Sequence, residues 1–363
     1  PATTSTSTST STSTSTSTLD PETLAAALSH QRLLTKPHHS LGRLEDIATW
    51  YAAARGTFPV PPPARTTLAL FLADHGVVVE GVSAYGSSVT AAMACNVMSG
   101  GAAVSVLARA RPVDLVAVDV GIAGDLSGAP LAPVVPLTRA RVRAGTRNLR
   151  IEPAMTLDEA RAAMDVGRRV ARTAVEGGAS LAAVGEIGVG NTTAASALVS
   201  VFTGADPEVT CGRGTGIDDA VRARKVEVVR DAIARHRPTP GDPLGALAAV
   251  GGLEIAAIAG FVLQAAALRL PVVLDGFVTT AAALVAQALE PGAVAFLLAS
   301  HESAEQGART ALERLGLVPL LSLGLRLGEG TGALLAVDLV TSAVALQAGM
   351  ATFATAGVVR GSR

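Results

Sequence analysis

Five short apolar runs recur along the chain, at residues 67–73, 113–120, 181–185, 271–275 and 293–299, and each runs into Gly, Asp, His or Ser. Runs of that length without polar alternation suit strands buried on both faces of a parallel sheet. Between them lie Ala-rich windows at 88–109, 158–176, 218–235 and 254–268, each long enough for a crossover helix. Strand, helix, strand in repetition predicts a doubly wound α/β fold, Rossmann-like, with a mainly parallel sheet flanked by helices. Ligands of such sheets bind beyond the carboxyl ends of the strands. The polar residues gather there: Asp74-His75-Gly76, Asp119-Val-Gly121, Glu186 to Thr193, Asp275-Gly276 and Ser300 to Ser303. Five loops are therefore expected to converge on one crevice.

With 363 residues the chain can hold one large domain or two modest ones. Hydrophobic residues make up 49% and aromatics only 3%, so the core must be packed from small side chains. The net charge of −1, without a Lys/Arg-rich run, gives no electrostatic footprint for nucleic acid or anionic lipid and points to a small-molecule ligand. Cys95 and Cys211 stand far apart in sequence, with neither C-x-x-C spacing nor a His cluster. That argues against a disulfide framework or zinc site and for a reducing cytoplasm. No basic segment followed by an apolar run marks a secretory leader. Residues 1–18 carry a Ser/Thr alternation with no apolar surface to offset ordering entropy, and are expected to be disordered. The apolar stretches 255–268 and 277–289 are too short to cross a bilayer and read as buried helices, so no membrane span is expected.

Near the C-terminus, Arg326-Leu-Gly-Glu-Gly-Thr-Gly-Ala333 sets one carboxylate, Glu329, among three glycines. Glycines permit positive φ and close approach to a ligand, and a carboxylate held there has the character of a general base tuned by burial. Upstream, the loop from Gly185 to Thr193 follows an apolar run and precedes an Ala-rich helix, so the helix would aim its positive end at an anion. It is neither a Walker A loop nor a G-x-G-x-x-G site. Gly188, Val189, Gly190 and Asn191 are its candidate phosphate contacts. A second Gly-rich turn runs from Gly212 to Asp218, and Lys225 on the helix behind it is the candidate charge partner. No Asp-x-Asp pair offers a magnesium clamp, and no metal or cofactor is expected.

In order, the chain carries Leu34-Thr-Lys-Pro37, Ser40-Leu-Gly-Arg-Leu-Glu45, Ala73-Asp-His-Gly76, Gly81-Val-Ser-Ala-Tyr85, Gly100-Gly-Ala-Ala103, Gly145-Thr-Arg-Asn148 and Pro153-Ala-Met155. The motifs around Glu186, Arg213, Gly251, Asp275, His301 and Glu329 follow. Together they resemble the nicotinate-nucleotide:dimethylbenzimidazole phosphoribosyltransferases of cobalamin biosynthesis, from about Leu34 to Val358.

The resemblance implies that a benzimidazole nitrogen attacks the anomeric carbon of nicotinate mononucleotide and expels nicotinate, with inversion to the α-riboside phosphate. The pyridinium leaving group departs neutral at nitrogen, so the chemical burden is removal of the benzimidazole proton, and Glu329 is implied as its base. Glu186 is read either as part of proton handling or as a structural carboxylate accepting backbone N–H bonds. Gly328 and Gly330 join the nucleotide contacts, while Ser83, Tyr85, Met93 and Leu327 are the expected walls for the acceptor. Asp74 and His75 read as orienting residues rather than a catalytic dyad.

The family also implies a small helical domain made from residues 19–60 and 334–363 around an α/β catalytic domain of residues 61–333. That small domain is expected to cover the neighbouring subunit's active site in a homodimer. Two positions depart from the family pattern. Ala92 stands where a Gln usually faces the acceptor, and His38-His39 replace a usual Pro-Gly. The alternatives are a relative using another benzimidazole, a purine or a phenol, and a non-catalytic nucleotide-binding relative.

Overall fold

A six-stranded, wholly parallel sheet with the strand order β3-β2-β1-β4-β5-β6 organises the chain. The computed structural model describes residues 18–214 and 216–359, so the Ser/Thr alternation and the disorder expected of it lie, but for Thr18, outside the described residues. Helices α1 (Pro21–Gln31) and α2 (Arg43–Arg55) precede β1 (Thr66–Ala73). Then come α3 (Ser88–Met98), α4 (Ala103–Arg109), β2 (Val113–Gly121) and, after a long loop, β3 (Leu137–Arg139). Helix α5 (Leu157–Glu176) leads into β4 (Leu181–Ile187). Five helices fill the span to β5 (Val272–Leu274): α6 (Asn191–Thr203), α7 (Pro207–Thr210), α8 (Asp219–His236), α9 (Pro243–Val250) and α10 (Leu253–Ala267). Helix α11 (Phe277–Leu289) and a 3-10 segment (Pro291–Phe296) precede β6 (Leu297–Ala299). The chain closes with α12 (Gly307–Leu315), α13 (Thr331–Gly349) and α14 (Phe353–Ala356).

The apolar runs become strands because both of their faces find partners. Along β1, Ala69, Phe71 and Ala73 join the core on one face, while Leu68, Leu70 and Leu72 join the core on the other. This is the period of two that a pleated strand imposes. Helices α5, α6, α10 and α11 supply the first core, and α2, α3, α4 and α13 the second. Small residues let helices approach closely: a Cβ on Gly167 of α5 would lie 1.7 Å from the Ala257 carbonyl oxygen of α10. Arriving through α2, the chain lays down β1 beside β2, then reverses direction across the sheet to β4. The switch between β1 and β4 opens a crevice at their carboxyl ends, as this strand order requires.

The structure corrects several expected boundaries. The window 88–109 is two helices, broken at Ser99–Gly101, where Gly100 adopts a φ of 80°. The run 293–299 is mostly 3-10 helix, and only its last three residues are strand. Strand β4 continues through Glu186, which is therefore a strand residue. Edge strand β3, short and partly exposed, carries no apolar run and has no counterpart among the expected strands. Helices α10 and α11 are short and buried, as expected. Two other segments, Ser88–Arg109 and Thr331–Gly349, are long and apolar enough to cross a membrane by composition. Half of each is buried in the fold, and the first is the broken pair α3 and α4.

The N- and C-terminal segments meet. Thr35 N–H donates to Ala351 O at 2.9 Å, Phe353 N–H to Leu33 O at 3.0 Å, and a ring nitrogen of His30 lies 3.1 Å from Gln347 O. Helix α13 packs on α2 and also on β4 and β5, so these segments share the second core with the sheet.

Candidate active site

A cavity of about 730 Å³ opens at the carboxyl ends of the central strands. It is lined by Ser83, Tyr85, Met93, Glu186, Gly188, Val189, Gly190, Asn191, Lys225, Leu327, Gly328 and Glu329, so the fold gathers these sequence candidates into one space. Gly330 is the exception: it lies outside the lining, and its N–H donates to Asp275 Oδ2 at 3.0 Å. Only some of the five expected loops reach the cavity. Those after β4, β5 and β6 do, joined by the segment through Val82–Met93 and by Gly324–Glu329. The loop after β2 does not. Asp119 instead accepts the Ile122 N–H at 2.8 Å and pairs with Arg141 at 3.0 Å.

Asp74 and His75 also stay behind the lining and are not paired with each other. Asp74 accepts the Ala123 N–H at 2.8 Å, which is an orienting role. His75 Nε2 lies 2.7 Å from Glu254 Oε1 of α10, with both side chains fully buried. A Cβ on Gly190 would come within 3.2 Å of the His75 Cβ, so this pair sits directly under the glycine loop. Sequence reasoning missed Glu254 because 179 residues separate the two partners.

At the anion end, α6 starts at Gly190, whose φ of 94° only glycine adopts without strain, and no side chain caps the helix. The Val189 N–H is taken by Thr90 Oγ1 at 3.1 Å and the Asn191 N–H by Gly188 O at 3.1 Å. The capacity for an anion thus rests on the uncapped first turn of α6 and on Lys225. Lys225 is fully buried, and its Nζ donates to Thr192 Oγ1 at 2.8 Å. Burial pushes its pKa below the ordinary lysine value. Glu305, also on the lining, keeps a buried Oε2 without a hydrogen-bond partner among the described residues.

At the carboxylate end, Glu329 adopts a φ of 62° between Gly328 at 81° and Gly330 at 84°. A Cβ on Gly185 of β4 would fall 2.5 Å from the Gly330 nitrogen, so the strand must be bare for this loop to sit on it. Glu329 is 5% exposed, and its Oε2 has no partner among the described residues. Burial raises its pKa, partly offset by the Val104 N–H. Glu186 accepts a hydrogen bond from the Asn191 side-chain amide. Burial first, then the charges of Asp275 and Glu254, drive its carboxyl well above the ordinary glutamate value. Asp275 is pushed up to about 7, chiefly by burial and against the N–H groups it accepts. At this end of the cavity Glu186 is taken by the Asn191 amide, whereas Glu329 keeps a buried oxygen without a partner among the described residues and so is the one placed to accept a proton. Tyr85 and Leu327 on the lining are 51% and 58% exposed, and Met93 is half-buried.

A family model described as a phosphoribosyltransferase matches residues 16–358. The nicotinate-nucleotide–dimethylbenzimidazole phosphoribosyltransferase of Salinispora tropica is 48% identical over 351 residues, covering 94% of this chain and 96% of that protein. The protein of the same name from Chromobacterium violaceum is 49% identical over 340 residues, covering 94% and 97%. A crystal structure of the corresponding Thermus thermophilus protein matches with a TM-score of 0.88 at 46% identity, covering 94% of this chain and all of that one. Identity of that extent over 94% of the chain, with the same fold, means that the chain belongs to the nicotinate-nucleotide–dimethylbenzimidazole phosphoribosyltransferase family.

Proposed function

We propose that this protein transfers the phosphoribosyl group of nicotinate mononucleotide to 5,6-dimethylbenzimidazole, releasing nicotinate and forming α-ribazole 5′-phosphate for the cobalamin nucleotide loop. The observation that carries the reading is one cavity holding both Lys225 beside the uncapped start of α6 and a buried carboxylate oxygen without a partner among the described residues. The phosphate sits on the first turn of α6 beside Lys225, near Gly188 to Asn191. The acceptor ring lies against Ser83, Tyr85, Met93 and Leu327. Its unprotonated nitrogen displaces nicotinate at the anomeric carbon, the pyridine nitrogen leaves with the bonding pair, and Glu329 takes the proton from the other ring nitrogen. Glu186 is held by the Asn191 amide, and burial favours its neutral form. Holding both substrates in line supplies much of the rate.

Ala92 favours a second reading on the acceptor side. Its methyl supplies no amide where the family pattern carries one, although Ala92 itself is exposed and outside the cavity lining, and another benzimidazole, a purine or a phenol becomes the competing acceptor. We further propose a homodimer in the cytoplasm, free of nucleic-acid or membrane partners. In it, the helical unit from residues 19–60 and 334–363 covers the partner's crevice. The ties between the two terminal segments and the free thiols Cys95 and Cys211 support this. The test is mass spectrometry of products formed from nicotinate mononucleotide with equimolar dimethylbenzimidazole, adenine and phenol. Predominant benzimidazole riboside phosphate is expected. Preference for another acceptor rejects the substrate assignment, and no product from folded protein rejects the enzyme.

A further inference from the structure

Helix α13 begins in a way that its own sequence does not explain. Its N-cap is Gly330, which offers no side chain to the helix's unpaired N–H groups. Gly330 also follows two residues that, like itself, lie in the left-handed region, and one of these is Glu329 at a φ of 62°. A non-glycine residue in that conformation is strained and persists only where its surroundings hold it.

The holding group comes from another strand. Asp275, at the end of β5, points both carboxylate oxygens at the first turn of α13. Oδ2 accepts the Gly330 N–H at 3.0 Å and Oδ1 accepts the Ala333 N–H at 3.0 Å, both buried. These are the N–H groups of the N-cap and third helical residues, so Asp275 caps the helix from 55 and 58 residues away. Two further contacts close the clamp. Thr331 Oγ1 donates to Gly328 O at 2.8 Å, and a Cβ on Gly332 would lie 2.0 Å from His301 Nδ1, so that ring presses on the same turn. Asp275 is 1% exposed and does not line the cavity, so its effect must pass through the residue it holds.

We propose that Asp275 is the positioning residue for Glu329: a remote helix cap that fixes the strained Gly328–Gly330 turn and thereby aims the Glu329 carboxylate into the crevice. This rests on Glu329 being the base, and the experiment separates the two claims.

The experiment is a kinetic double-mutant cycle on the full chain with nicotinate mononucleotide and dimethylbenzimidazole, using Asp275→Asn, Glu329→Gln and both together. The asparagine presents an NH2 donor to one of the two N–H groups, so one cap bond is lost with shape retained. Asp275→Asn is expected to lower kcat about 10- to 100-fold through misplacement of the base, with KM for the nucleotide unchanged. Adding it to Glu329→Gln is expected to cost nothing more, because there is no base left to misplace. Two results would overturn the proposal: wild-type kcat in Asp275→Asn, or an equal loss from Asp275→Asn in both backgrounds. Wild-type turnover of Glu329→Gln alone would instead remove the base assignment, whatever Asp275 does. If the asparagine variant does not fold, as judged by circular dichroism, Asp275→Ser takes its place, since its hydroxyl oxygen still accepts one N–H.

Discussion

Glu329→Gln exchanges a carboxylate oxygen that has no hydrogen-bond partner among the described residues for an amide of the same shape. The exchange leaves the backbone turn alone, because the bonds that hold it run from main-chain N–H groups to Asp275 and Glu186 O. What disappears is the proton acceptor. A positioned general base is worth about 10²- to 10⁴-fold in rate. At about 1.4 kcal/mol per factor of ten, that is about 3–5 kcal/mol of transition-state stabilisation. The assay is the initial rate of nicotinate release, read by liquid chromatography at saturating substrates across pH 5–9. Wild type should show an acid limb in kcat above the usual glutamate range, because burial raises the Glu329 pKa and the base must be ionised to work. In the variant, kcat should fall by the factor above, the limb should vanish, and nucleotide affinity should hold. The variant should be no less stable at neutral pH. A group whose folded pKa is raised ionises first in the unfolded chain, so its contribution to stability falls as pH climbs through that window, and glutamine has no such loss. A variant with wild-type kcat and an intact acid limb would refute the reasoning.

Lys225→Met should weaken nicotinate mononucleotide binding by about 10- to 100-fold, the value of one or two charge-assisted hydrogen bonds, as measured by calorimetry. The same variant should melt higher than wild type, because the ammonium is buried and its pKa is pushed down; an unchanged affinity would reject its place at the phosphate. His75→Ala should destabilise the protein by about 3–5 kcal/mol in urea titration, since it strands the Glu254 carboxylate in a fully buried site. A loss below about 1 kcal/mol, the value of an exposed pair, would show that the pair bears no load. Asp275 titrates near 7 in the folded chain, against 3.8 ordinarily. Its unfolded form therefore ionises first, and its contribution to stability falls between pH 4 and 7, by up to about 4 kcal/mol. The stability of wild type relative to Asp275→Asn should decline across that interval, and a constant difference would contradict the shift.

Much of this was legible in the chain because the informative signals are local. Apolar runs of five to eight residues mark strands that are buried on both faces, and β1, β2 and β4 fall where such runs stand. The glycines around Glu329 and after Glu186 marked loops that need unusual φ, and those loops line the cavity. Lys225, read as a phosphate partner from its place behind a Gly-rich turn, sits on the same lining. What escaped depends on distance. The capping of α13 by Asp275 and the pairing of His75 with Glu254 join residues 55 to 179 positions apart, and no periodicity encodes them. One trace was present: a helix opening on Gly330 has no capping side chain of its own, which calls for an acceptor from elsewhere in the fold. Strand β3 escaped because an edge strand half in solvent needs no apolar run.

The most direct test of the account is the anomeric configuration of the product. Nuclear magnetic resonance of the riboside phosphate formed from nicotinate mononucleotide and dimethylbenzimidazole, with nicotinate counted in parallel, reads out displacement at the anomeric carbon. The account predicts the α-riboside phosphate, one for each nicotinate released. A β-riboside, which requires two displacements and an enzyme-bound intermediate, or free ribose 5-phosphate in place of a riboside, would contradict it.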